Sequence, residues 1–139
     1  DNLDFVGKSD AFLVHVDNYC EDDLTNMLIA HKKKPKQCLV TMLIFKTGKP
    51  KQSGIVTLDE TGKLIDFDEK PEYPKSNLAN GAIYLFSSDF TEYLKNIKRV
   101  SDFSNEIIPD LVGKAFTYRT KGNFVDIGTV EAYKYANNL

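Results

Sequence analysis

AFLVHVDNYCEDDLTNMLIAHKKKPKQCLVTMLIF, residues 11–45, decides the fold. Residues 11–18 form a short β-rich run that delivers one acid at its end, Asp17. In residues 20–34, Leu24, Met27, Leu28 and His31 recur at helical spacing. Glu21, Asp22 and Asp23 suit the positive end of a helix, and Lys32 to Lys34 suit its negative end. Pro35 then stops it. Residues 37–45 are nearly all apolar, the pattern of a strand covered on both faces. Strand, helix, strand is a βαβ unit, which predicts parallel strands and a right-handed crossover.

Downstream the pattern changes. GIVTLDETGKLIDFDEKP, residues 54–71, reads as two short strands around the turn residues Asp59 to Gly62. NGAIYLFSS, residues 80–88, is a further strand, and a short helix over 89–97 follows, capped by Ser88 or Asp89. A second short helix spans 102–114 with Pro109 as an interruption. AFTYRT and NFVDI are strands, and a closing helix starts near Thr129. The expected fold is α/β: a mixed, mostly parallel sheet flanked by helices, with an inserted β-hairpin, over residues 1–139 as a single unit.

The bulk numbers exclude several classes. A chain of 139 residues with 42% hydrophobic content can bury a core. A net charge of −2 gives no global pull toward nucleic acid or an anionic membrane. No apolar run approaches the ~20 residues of a membrane helix. Cys20 and Cys38 have no metal-ligand spacing and read as reduced packing thiols of a cytoplasmic protein. The opening DNLDFVGKSD is polar and acidic, with no signal-peptide pattern, and reads as a piece cut from a longer chain.

Two acids fall at the C-terminal ends of strands, Asp17 in HVDN and Asp126 in VDIGT. Ligands of open α/β sheets bind at that edge. On neighbouring strands the two carboxylates could share one Mg²⁺; the alternative is that each caps a turn. Glu69-Lys70 precedes Pro71, which disfavours helix at Lys70 and predicts an extended backbone there. Gly54 permits close approach of a ligand, or a bulge. Asn80-Gly81 reads as a turn or as a ligand contact. His15 lies in the first strand run as a core or cleft residue, and His31 sits near a helix end that favours positive charge. The KKKPK run, 32–36, is a solvated helix end, and Tyr84, Phe86, Phe90 and Tyr93 fit core positions.

Taken in order, FLVHVDN, AHKKK, VTMLIF, SGIVTLDETGKLIDFDEKP, SNLANGAIYLF and NFVDIGTVEAYKYAN resemble the sugar-1-phosphate nucleotidyltransferases over nearly the whole chain. The likeness is to the C-terminal, sugar-binding half of that Rossmann-like fold. The Gly-rich loop of the family's N-terminal half has no counterpart here, so this chain alone is expected not to turn over. The resemblance implies transfer of a nucleotidyl group from an NTP to a sugar 1-phosphate. It implies Asp17 and Asp126 as Mg²⁺ ligands, Lys70 on the sugar phosphate, and Glu69, Gly54 and Asn80 on the sugar. Asp17, Lys70 and Asp126 would be the catalytic set. Residues such as VDN, EDDL and NGAIYLF look closest to guanylyltransferases acting on mannose or heptose 1-phosphate, which favours GTP. The expected partners are these two substrates, with a homo-oligomer allowed for and no nucleic acid or membrane. Two positions depart from the family: Val16 and Ala82 stand where it usually has glycine. The competing readings are a non-catalytic sugar-nucleotide-binding subunit of the same fold and a receiver-type signalling domain.

Overall fold

The computed structural model describes residues 6, 8–97 and 102–139. The acidic opening at residues 1–5 lies outside them. Strands β1 (Ala11–Val14) and β2 (Asn18–Cys20) lead into helix α1 (Leu24–Lys33) and strand β3 (Val40–Lys46). The hairpin is β4 (Gly54–Leu58) with β5 (Leu64–Glu69), and β6 (Leu78–Phe86) and α2 (Ser88–Lys95) follow. A π-type turn at Phe103–Ile107 and a 3-10 turn at Pro109–Leu111 replace the second predicted helix, divided at Pro109 as its missing N–H requires. Strands β7 (Ala115–Arg119) and β8 (Phe124–Asp126) and helix α3 (Val130–Ala136) complete the chain.

The sheet is mixed and has six strands. Strand β6 is its centre: β3 pairs along one edge, while β1 and β4 share the other. Both β1 and β3 run antiparallel to β6, so they share the parallel sense that the βαβ reading predicts, with β6 between them. β7 adds in parallel to β3, and β5 pairs antiparallel to β4. Four strands therefore run one way and β5 and β6 the other.

Helix α1 forms for the reasons its sequence supplies. Asp23 occupies the N-cap and accepts from the Thr25 N–H, and Lys32 and Lys33 place positive charge in the last turn. Its Met27 packs with Leu43, Ile83 and Leu85 on one face of the sheet. Val40, Met42 and Ile44 alternate to the opposite face, under Phe90 of α2 and Ile107, Ile108 and Leu111. Layers on both sides explain why β3 is buried from Val40 to Ile44. The cap of helix α2 falls one residue before Ser88, the earlier of the two expected caps. Ser87 holds the cap position, but its hydroxyl donates to the Leu39 carbonyl and leaves the helix end uncapped by side chain.

His31 differs most from its sequence reading. It is 2% exposed. Nε2 lies 3.3 Å from the Lys34 ammonium, which can only donate, so Nδ1 carries the proton and donates to Thr41 Oγ1 at 2.8 Å. Burial, aided by the Lys34 charge, pulls its pKa down to about 4 despite Asp10 nearby. It is a neutral core residue rather than a charge at a helix end. His15, by contrast, is exposed in the turn after β1.

Candidate functional site

The acids at strand ends meet through a small second sheet. β2 and β8 form an antiparallel ribbon with Asn18 opposite Asp126. β1 stops at Val14, so Asp17 sits in the turn between β1 and β2 rather than on the strand end itself. The Ile127 N–H donates to the Asp17 carbonyl at 2.8 Å, which carries the ribbon one step further. The side chains then converge. A methyl group on Gly128 would stand 3.0 Å from Asp126 Oδ1 and 3.4 Å from Asp17 Oδ2. The two carboxylates therefore face the same small space, which the glycine keeps open. The Gly128 N–H donates to Asp126 Oδ1 at 2.9 Å and orients it.

Below the ribbon, strand β6 bends. Between Met42 and Ile44 of β3 it advances four residues, from Tyr84 to Asn80, while β3 advances two. Gly81 is buried at this bulge, where an added methyl would lie 2.5 Å from Leu43 Cδ2 and 3.3 Å from Phe124. Ala82 has φ 49°, the left-handed region that costs a residue with a side chain. Asn80 shapes the bend: its Oδ1 accepts from the Ala82 N–H at 3.0 Å and its Nδ2 donates to Tyr84 Oη at 2.7 Å. Burial of Tyr84 pushes its pKa up, and the Glu69 charge adds to the effect. Glu69 thus lies close enough to the Asn80–Tyr84 pair to be felt by it.

Glu69 and Gly54 are direct cross-strand partners. A methyl on Gly54 would come within 2.8 Å of Glu69 Oε2 and 2.7 Å of Phe67. Lys70 overturns the expectation of an extended backbone before Pro71: its φ is 48°. Its N–H donates to the Ser53 carbonyl at 3.2 Å, so the end of the hairpin holds it while the chain turns. This turn lets neighbouring side chains share one side, and Lys70 Nζ reaches 3.7 Å from Glu69 Oε1. The Lys70 side chain is 66% exposed. Left-handed backbone at an exposed cation is the kind of strain that clusters at ligand sites. The Lys70 charge is also felt at Asp102, held low mainly by the Asn105 N–H.

The structure therefore groups the six sequence-predicted residues at two ends. Asp17 and Asp126 form one, and Gly54, Glu69, Lys70 and Asn80 the other. Asn18 links them, because its side-chain amide donates to the Gly81 carbonyl at 2.9 Å. The sequence reading did not single out Asn18; its place directly after Asp17 was the available signal. An open cleft of about 530 Å³ adjoins the first end. It runs between Thr47–Ser53 and helix α3, with Asp126 and Thr129 in its wall and Glu69, Lys70 and Asn80 outside it.

Two converging carboxylates are hard oxygen donors and suit a cation that takes its remaining ligands from water and phosphate. Among the described residues no cluster of three or more His, Cys, Asp or Glu forms a closed metal cage. Among them, too, no helix is long and apolar enough to cross a membrane.

Comparison with known proteins places the chain in a family. A glucose-1-phosphate adenylyltransferase from Clostridium botulinum is 31% identical, covering 98% of this chain and 38% of the relative. One from Thermomicrobium roseum is 31% identical over 92% of this chain and 32% of its own length. The chain thus spans about a third of the curated relatives it matches. A structure of a candidate glucose-1-phosphate thymidylyltransferase from Bacillus anthracis, in complex with sucrose, superposes with a TM-score of 0.83. That match has 25% identity and covers 99% of this chain and 56% of the other. A family model described as nucleotidyl transferase matches residues 1–139, and the chain belongs to that family.

Proposed function

We propose that the chain is the C-terminal, sugar-phosphate-binding part of a nucleotidyltransferase that makes a nucleotide sugar from an NTP and a sugar 1-phosphate. The observation that carries this is the convergence of Asp17 and Asp126 at Gly128, with Asn18 joining them to the bulge beside Glu69 and Lys70. The reaction brings two polyanions together. Lys70 meets the sugar phosphate and offsets part of its charge, while Glu69 accepts from sugar hydroxyls with Gly54 giving the ring room beside the backbone. Asn80 acts chiefly through the bulge, since both ends of its amide are engaged there. Asp17 and Asp126 would hold Mg²⁺, which supplies charge neutralisation at the phosphates. A sugar-phosphate oxygen attacks the α-phosphorus, the bond to the bridging oxygen of the β-phosphate breaks, and pyrophosphate leaves. Catalysis of this kind is positioning and electrostatics, with no covalent protein intermediate. In this reading these 139 residues do not turn over by themselves, because no Gly-rich triphosphate-gripping loop occurs among them.

The test is an NMR titration of the chain with Mg²⁺ and sugar 1-phosphates, with Lys70→Ala as control. Glucose 1-phosphate goes first, as the sugar in the relatives' names, and mannose 1-phosphate, which the sequence favours, second. Shifts at Gly54, Glu69, Lys70 and Gly128 that Lys70→Ala weakens are expected. A dispersed spectrum that no sugar phosphate perturbs sinks the proposal for this chain. Which NTP the parent uses, GTP by the sequence or ATP and dTTP by the relatives, is a turnover assay on the full-length protein.

A further inference from the structure

We infer that Asn18 is a positioning residue: its side chain fastens the turn carrying Asp17 to the bulge of β6, and so holds the two carboxylates at one spacing. This rests on the metal-binding role proposed for Asp17 and Asp126. The turn has few other holds. Val16 is fully exposed, and Asp17, also exposed, is tied to the ribbon through its carbonyl, which accepts from the Ile127 N–H. Two donors reach from this turn to the Ala82 carbonyl, the His15 N–H at 3.2 Å and the Asn18 side-chain amide at 3.4 Å. The Asn18 amide makes its shorter bond, 2.9 Å, to the Gly81 carbonyl. Its backbone meanwhile pairs with Asp126. One residue therefore adjoins the Asp17 turn, pairs with the strand that carries Asp126 and reaches the bent strand β6.

The chemistry of the amide is what matters. Both partners are carbonyl oxygens that can only accept, so the side chain at position 18 must donate. Aspartate has the same shape and cannot do so when ionised. It also adds negative charge beside the pair. Electrostatics alone would make Asn18→Asp a tighter cation site; loss of the fastening makes it a looser one. The two explanations give opposite signs.

The experiment uses the 139-residue chain, its Asn18→Asp variant and Asn18→Ala. Mn²⁺ is titrated and its affinity read from paramagnetic broadening of the Ile127 and Gly128 amides. Glucose 1-phosphate or mannose 1-phosphate, whichever the unmodified chain binds, is titrated separately and read at Gly54 and Lys70. The expected result is Mn²⁺ binding weaker by about tenfold in both variants, the usual cost of removing a group that orients metal ligands, with the sugar-phosphate shifts kept. Equal or tighter Mn²⁺ binding in Asn18→Asp overturns the inference. So does parallel loss at both ends with a fallen melting temperature, which marks a merely structural residue. Absence of broadening in the unmodified chain overturns the metal-binding proposal itself, and the inference falls with it.

Discussion

Gly54 sits against Phe67 and Glu69 with no room for a methyl group, whereas Asp17 and Asp126 lie exposed on a ribbon of two three-residue strands. The hairpin end of the site is held by packing. Val56, Leu64 and Ile55 are buried beneath it, and β4 and β5 pair over their whole length. The carboxylate end is held by hydrogen bonds: Asn18 to the bulge, Ile127 to Asp17, and Gly128 to Asp126. Packing resists small changes of shape, while a few exposed hydrogen bonds contribute only about 1 kcal/mol each. The half proposed to grip the sugar is built rigidly. The half proposed to meet metal and phosphate is lightly built and should respond to single substitutions without loss of the fold.

Gly81→Ala tests where the two ends join. Its methyl would meet Leu43 on one side and Phe124 of the ribbon on the other, and the Leu43 carbonyl at 3.2 Å cannot move aside as a side chain can. Overpacking of this kind costs about 3 kcal/mol. Urea denaturation should show that loss, together with weaker binding at both ends. If only one end suffers, the bulge is not their common floor.

Acid should weaken the packing of helix α1 on β3, where His31 meets Thr41. His31 has a folded pKa of about 4 against 6.5 for an ordinary histidine, so between those values the unfolded chain binds more protons. Stability is therefore full above pH 6.5 and falls as the pH drops toward 4. Between pH 7 and 4.5 the loss should be about 2 kcal/mol, less than the full shift implies because pH 4.5 stops short of the folded pKa. Denaturation midpoints at pH 7 and 4.5 measure it, and His31→Gln should flatten the slope. A slope unchanged in that variant would move the acid sensitivity elsewhere.

Asp126→Asn separates the ends in the other direction. The amide oxygen still accepts from Gly128 N–H, so the fold stays, but a charge is lost at the convergence point. Metal affinity should fall about tenfold, roughly 1.4 kcal/mol, with the response at Gly54 and Lys70 unchanged. Calorimetric titration with Mn²⁺ reads it.

The fold was legible wherever covering and capping are local. Residues 37–45 are apolar because both faces of β3 are covered, and Asp23, Thr129 and Asp59 mark caps and turns that the structure contains. The position of β6 between β1 and β3 was not legible, since no local pattern says which strand inserts between two others. In the site, the residue types and order pointed to the six candidates, but not to their division into two ends, which depends on the bulge. Lys70 was misread because the rule for a residue before proline is a local preference. The hairpin's hydrogen bond to Ser53 and the turn into Pro71 override it. His31 was misread because its spacing said helix end, while burial against Thr41 comes from a strand ten residues away.

The smallest effect comes from the two left-handed residues other than glycine among those described, which make a pair. Ala82 at φ 49° and Lys70 at φ 48° both carry a side chain where glycine is at ease. At Ala82 the methyl group makes no hydrogen bond and the bend is already fixed by Asn80 and Asn18, so Ala82→Gly should stabilise the chain by about 1 kcal/mol. Binding at both ends should stay as it was. Lys70→Gly relieves the same strain, and should raise the melting temperature by a similar step, yet it removes the cation proposed to meet the sugar phosphate. Stability alike and binding unlike would mark Ala82 as strain tolerated by the fold and Lys70 as strain kept for a ligand. If Ala82→Gly also weakens sugar-phosphate binding, the left-handed bulge needs its methyl group to hold Asn80 in place. The hairpin end would then be as delicately fastened as the ribbon.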